Sequence, residues 1–197
     1  MNINFKIYDI LSSLIPGFLL LILLLDFLNI KFEKDFIIIY TAAAFVLGYL
    51  INTIGSWLED FYFFTWRGKP SNRLLDGKGI WKVKFCEYEK AKLLLIKEAP
   101  ANYTNDVLFN IAMRYANGSK DTRVDDFNSL YVFSRSILTT AIISLVIFII
   151  GQFDYRYYIC LIPLLIVFWI RCKQRGYFYA KEVLNTYLKL KDQSPVK

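Results

Sequence analysis

Histidine does not occur anywhere in the 197 residues. That absence removes every mechanism needing an imidazole base, an imidazole metal ligand or a histidine pH switch. Cysteine is scarce as well. Cys86, Cys160 and Cys172 stand far apart with no C-x-x-C pair, so neither a disulfide framework nor a zinc cluster is expected. Burial is the ordinary role for isolated thiols of this kind. A phosphate loop is missing too. Around Gly77-Lys78, Asn72 stands where the first glycine of the loop would be needed, and Gly79 where Ser or Thr must follow the lysine. Gly68, Pro70, Gly77 and Gly79 instead read as turn signals. The acidic pair Glu59-Asp60 has no second acidic pair or metal-ligand spacing nearby, so a paired-carboxylate hydrolase lacks its parts. No enzymatic activity, catalytic residue, metal or cofactor is expected.

Large apolar residues are what the chain has in abundance. It is 56% hydrophobic and 18% aromatic, against roughly 45–50% apolar in an average soluble domain. Intrinsic disorder is thereby excluded. The apolar residues gather in four runs. Ile10 to Ile30 is broken mainly by Asp26 and shows no polar face at the helical period; Phe36 to about Trp57 follows after the short link from Lys31 to Asp35. Ser136 to Ile150 and Tyr157 to Ile170 form a second pair, linked by residues 151–156. Crossing a ~30 Å hydrocarbon core takes about 20 helical residues. The first two runs suffice. The last two must borrow Tyr131 to Arg135 and Arg171 at their ends, where arginine can extend its charge to the interface; a re-entrant pair is the alternative. No A-x-A-like site follows the first run, so an uncleaved span is expected there.

The expected fold is therefore all-α: a polytopic membrane protein with four transmembrane helices in two hairpins and a small, mainly helical cytoplasmic region. The boundaries are a first hairpin over 1–65, a basic region over 66–135, a second hairpin over 136–171 and a helical tail over 172–197. Of the 24 lysines and arginines, 21 lie on the side shared by both termini and the middle region. The positive-inside tendency puts that side in the cytoplasm. The net charge of +7 needs no nucleic acid to explain it. Within the middle region, Trp81 to Phe85 alternates apolar and basic residues and predicts a short strand. Cys86 to Ala99 and Thr104 to Asn117 predict helices, the second capped by Thr104. A further helix should run from Asp121 or Thr122 into the third span, and the fourth span should continue towards Leu190.

Three groups of residues are candidates for function. Asp9, Ser12, Pro16 and Gly17 in the first span, with Asn52, Thr53 and Ser56 in the second, could line a passage through an oligomer. Interhelical hydrogen bonding and a proline kink are the plainer reading of the same residues. Glu59, Asp60 and Arg135 sit at comparable ends of the two hairpins and are candidates to clamp them together. Trp66, Arg67, Lys69, Arg73, Lys78, Trp81, Lys82 and Lys84 interleave cations with aromatic rings, as surfaces for single-stranded nucleic acid do. A membrane-proximal basic loop facing anionic lipid explains them more simply.

Two apolar hairpins around a small basic region, opening on Tyr8-Asp9-Ile10-Leu11-Ser12-Ser13-Leu14-Ile15-Pro16-Gly17, resemble small bacterial membrane proteins of antiphage loci. The nearest likeness is to the four-span accessory proteins of type VI-B CRISPR systems. The resemblance implies modulation of an RNA-guided RNase or membrane-based interference, with the lipid bilayer, further copies of the chain, and a CRISPR effector protein or RNA at the cytoplasmic face as partners. One branch of those accessories carries an R-x4–6-H ribonuclease-like element. A chain without histidine cannot contain it, so no catalytic residue carries over. A constitutive channel or small transporter and a structural membrane scaffold are the rival functions.

Overall fold

The structure, a computed structural model, describes residues 7–119 and 123–193, with side chains from residue 12 onward. Among the described residues eight α-helices follow one another: α1 (Ile7–Phe27), α2 (Ile37–Trp57), α3 (Glu59–Thr65), α4 (Pro70–Leu75), α5 (Tyr88–Ile96), α6 (Asn105–Gly118), α7 (Arg123–Ile150) and α8 (Tyr155–Gln193). No strand forms among the described residues. The expected strand at Trp81–Phe85 is instead a tight turn, closed by hydrogen bonds in both directions between the Ile80 and Val83 backbones. Trp81 occupies the turn with φ of 39° and stays exposed, whereas Val83 and Phe85 enter the core. The alternation of side chains is real, but no partner strand exists for it to pair with.

The chain divides into two units, Met1–Glu59 with Ser129–Cys172 and Asp60–Asn128 with Lys173–Lys197. In the first unit the usual distribution of apolar residues is inverted. Ile38, Val46, Tyr49 and Trp57 of α2, Ile149 and Ile150 of α7, and Ile159, Ile166 and Val167 of α8 are all exposed, which a soluble domain does not tolerate over so large a surface. The stretch Lys34–Trp57 and the helices α7 and α8 are long and apolar enough to cross a membrane; α1 is apolar over the shorter stretch Ser12–Phe27. The chain therefore has the character of a membrane protein.

Small residues decide how α1 and α2 meet. The buried positions of α2 are Ala44, Gly48, Ile51 and Gly55, spaced so that they fall on one stripe of the helix. A Cβ on Gly17 would lie 1.7 Å from the Ala44 carbonyl oxygen, and one on Gly48 would lie 1.9 Å from that of Ser13. The two backbones are thus in direct contact, in the manner of small-x-x-x-small helix pairs. Contacts that advance on α1 recede on α2, so the helices run antiparallel. Gly55 continues the stripe and faces Thr139 and Arg135 of α7. At the opposite end of the unit, Phe148 of α7 gathers Phe153, Tyr157 and Tyr158 around its ring, and Phe153 stacks on Phe27 of α1.

The second unit is built like a soluble domain. Leu74 and Leu75 of α4, Ala91 and Leu95 of α5, Leu108 and Ala112 of α6 and Val183, Leu184 and Tyr187 of α8 share one core. Thr104 caps α6, its hydroxyl accepting the Val107 amide at 3.4 Å. Gly77 ends α4 at φ of 72°, with the Gly77 and Lys78 amides returning to the carbonyls of Leu74 and Arg73. That is the left-handed helix stop for which glycine is suited.

Gly48→Ala is expected to force α1 and α2 apart and to lower stability by about 1–3 kcal/mol. Gly118→Ala, where nothing lies within 4 Å of the added carbon, should leave stability unchanged or raise it slightly. Thermal unfolding of the detergent-solubilised protein reads both; equal melting of Gly48→Ala and the parent chain would contradict the packing described.

Candidate functional site

An arginine inside the apolar unit organises the polar groups around it. Arg135 lies mid-way along α7, where its own stretch of helix supplies Tyr131 one turn before it and Thr139 one turn after. Its guanidinium donates to Glu59 Oε2 at 3.0 Å and to Asn52 Oδ1 at 2.8 Å. The Tyr131 hydroxyl donates to the other oxygen of the same carboxylate, and its ring lies 5.8 Å from the guanidinium carbon. The Arg135 side chain is 10% exposed and that of Glu59 25%. A charge buried to this degree is tolerable only with a counter-charge and near-complete hydrogen bonding. The glycine at position 55 clears the path, since Arg135 Cγ and Nε lie 3.5 and 3.6 Å from where a Cβ would stand. Arg135 Nε itself is buried without a partner.

The hydroxyls nearby are handled locally. Thr139 and Thr140 donate to the carbonyls of Arg135 and Ser136 one turn back, both at 2.9 Å, and Thr53 does the same to Tyr49 at 3.0 Å. Such bonds satisfy a hydroxyl inside an apolar helix at the cost of a slight bend. Cys172, the first unit's last residue, is fully buried.

The residues expected to line a passage have varied placements. Ser12, Pro16 and Gly17 are buried on α1, with Gly17 against the backbone of α2. Asn52 is half-buried and engaged by Arg135; Thr53 is half-buried; Ser56 is exposed. The side chain of Asp9 lies outside the described residues. Of the three clamp candidates, Glu59 and Arg135 form the ion pair, while Asp60 is exposed. Asn52 and Tyr131 complete the network. Nothing in their spacing announces this, although both fall one or two helical turns from an expected member.

The basic segment is also divided by the fold. Trp66 is 1% exposed, stacked on Tyr62 and edge-on to Phe63, so its faces are covered rather than offered to a base. Lys69 pairs with Asp106 at 3.3 Å. Arg67, Lys78, Trp81, Lys82 and Lys84 are exposed, and Arg73 is half-buried. Elsewhere in the unit, charges serve the fold. Asp76 accepts from Asn105 and from Lys92, each at 3.0 Å, binding the end of α4 to α5 and α6; the Asn105 bond foremost, with the Lys92 bond, holds its carboxyl below the usual range. Lys191 of α8 meets Glu98 at 2.7 Å and lies 4.2 Å over the Tyr115 ring. Among the described residues no three Cys, Asp or Glu side chains gather as metal ligands would.

Taken together, fold and site describe an all-helical protein of membrane character with a buried arginine–carboxylate network in its apolar unit and a separate helical unit rich in cations. No family model, characterised protein or solved structure matches the chain.

Removing one member of the network should cost more than removing the charges together. Glu59→Ala strands a buried guanidinium and is expected to lower stability by up to about 3 kcal/mol, whereas Glu59→Leu with Arg135→Leu should cost less than either change alone. A double-mutant cycle followed by thermal unfolding in detergent measures this; additive losses would contradict a coupled network.

Proposed function

We propose that the chain is a four-span protein of the bacterial inner membrane, with two helix hairpins, α1–α2 and α7–α8, and with both termini and the second unit in the cytoplasm. Its work on this reading is that of an accessory or effector in antiphage defence, acting as an oligomer. The observation that carries the proposal is the apolar stretch of α8. From Tyr155 to Arg171 no residue is buried and most are exposed, including Ile159, Ile162, Leu164, Ile166, Val167 and Ile170. One helix with so little of its circumference covered by its own protomer is suited to lipid on one side and to a further copy on the other. The Arg135 network supports the same setting, because an arginine paired with a carboxylate where the apolar part of α7 begins suits a membrane. The basic excess on the second unit supports its cytoplasmic side.

The defence setting rests on the resemblance of residues 8–17 and of the overall arrangement of apolar runs. An activated oligomer would open a passage between copies or perturb the bilayer, with the exposed Ser56 and the half-buried Thr53 the polar groups of α2 offered for that purpose. Modulation of a CRISPR RNA-guided RNase through the second unit is the other mode the resemblance offers. A scaffold role has one observation in its favour: Gly17 and Asn52 are already engaged inside the protomer.

Membrane potential in cells carrying the protein, with and without phage challenge, tests the proposal. Depolarisation confined to challenged cells is expected. An unchanged potential in both, with the protein verified in the membrane, would overturn the pore mechanism, and equal depolarisation in unchallenged cells would favour a constitutive channel.

A further inference from the structure

One short part of the basic segment is held outward by the packing of the second unit. The chain reverses at Ile80–Val83, whose backbones bond in both directions at 2.7 and 3.1 Å. Gly79 fits closely against the returning strand of chain: a Cβ there would stand 2.3 Å from the Val83 carbonyl oxygen and 3.1 Å from Lys84 Cα. Val83 and Phe85 are buried and anchor the turn in the core. Lys84, between them, faces outward, and Lys82 and Lys78 are exposed as well. Trp81 sits at the tip, 58% exposed, with left-handed backbone at φ 39°. Bulky side chains seldom occupy that region, so a tryptophan kept there and left uncovered points to something that it touches.

The charge around this tryptophan is not answered within the unit. Lys82 and Lys84 make no ion pair among the described residues. Lys78 makes none either, and acts on the Asp76 carboxyl only as a nearby charge. The carboxylates nearest along the chain are engaged elsewhere. Asp76 accepts from Asn105 and Lys92, each at 3.0 Å. Glu87 lies 3.9 Å from Lys90, and Glu89 accepts from the Tyr88 hydroxyl at 2.9 Å. Between Lys78 and Lys84 the chain thus presents three cations and one exposed ring, with no acidic residue among them.

We propose that the turn over 78–84 docks on the anionic surface of a phospholipid bilayer, with Trp81 entering the headgroup layer and Lys78, Lys82 and Lys84 lying against the phosphates. Tryptophan suits that depth, because its ring is apolar while its indole N–H needs a polar partner. Each lysine near an anionic leaflet adds to the attraction. The single ring favours lipid over nucleic acid, whose successive bases stack on several rings; Trp66, the other tryptophan of the basic segment, is buried. A unit joined to a spanning one stays within reach of the bilayer, so a weak contact is enough to hold it there. That last step rests on the reading of the first unit as spanning.

The test uses the full chain in nanodiscs of phosphatidylcholine brominated high on its acyl chains, which quenches tryptophan on contact, after a carbonate wash has verified that the protein is integral to the membrane. Adding phosphatidylglycerol should increase the quenched fraction of the fluorescence. Trp81→Phe should lose that increase, which separates Trp81 from Trp57, Trp66 and Trp169. Lys82→Gln with Lys84→Gln should lose most of it, as should raising the salt enough to screen the surface. Lys97→Gln, at an exposed site outside the turn, should keep it. Unchanged helical circular dichroism verifies that each variant folds. No increase, or one that Trp81→Phe retains, would overturn the proposal. A change in Trp81 emission produced by single-stranded RNA in phosphatidylcholine alone, with no quenching on adding phosphatidylglycerol, would overturn lipid in favour of nucleic acid. Loss of the protein in the carbonate wash would overturn the spanning reading itself.

Discussion

A guanidinium in an apolar helical unit must be neutralised and bonded, and much of the first unit is arranged around that requirement. Arg135 reaches Glu59 and Asn52, and Tyr131 holds the far oxygen of the same carboxylate. Three consequences follow. Gly55 has to be small so that the arginine stem can pass. Glu59 has to follow α2 closely, two residues beyond its end, so that its carboxylate falls in reach. The Thr139 and Thr140 hydroxyls turn back on their own helix and do not compete for it. An aliphatic side chain at position 135 would relieve all of these demands. Their joint presence ties α7 to the end of α2 in a single register.

The other close contact in the unit uses no charge at all. Gly17, Ala44 and Gly48 let two backbones touch, and between apolar helices in lipid such close packing replaces the hydrophobic effect that drives soluble cores. The second unit relies on that hydrophobic effect instead, with leucines, alanines and tyrosines from α4, α5, α6 and α8 covering one another and ion pairs such as Lys191–Glu98 around the outside. A single chain thus contains two kinds of core. The apolar composition belongs chiefly to one and the charge to the other.

Much of this is legible in the residues. The helix over residues 105–118 announces itself through its Thr104 cap. The long α7 and α8 follow from uninterrupted stretches, with Gly176 helical and buried despite its weak propensity. Less legible is anything that depends on register between distant segments. Trp66, flanked by cations, reads as a surface residue, but it is buried, stacked on Tyr62 and edge-on to Phe63 of α3. Asn52 and Tyr131 become partners of Arg135 only once α2 and α7 lie side by side. The strand expected at Trp81–Phe85 fails for the same reason: alternation states which side chains point inward but supplies no neighbouring strand.

The native cysteines offer the most direct check on the account as a whole, which holds that the first unit lies in the bilayer and the second in the cytoplasm. Cys86 is exposed in the second unit, and Cys172 is buried. Intact spheroplasts treated with a membrane-impermeant maleimide should leave Cys86 unlabelled, and permeabilising the inner membrane should expose it to full reaction. A cysteine placed at Asn29, in the exposed link between α1 and α2, should react in the intact spheroplasts. Labelling of Cys86 before permeabilisation would contradict the account.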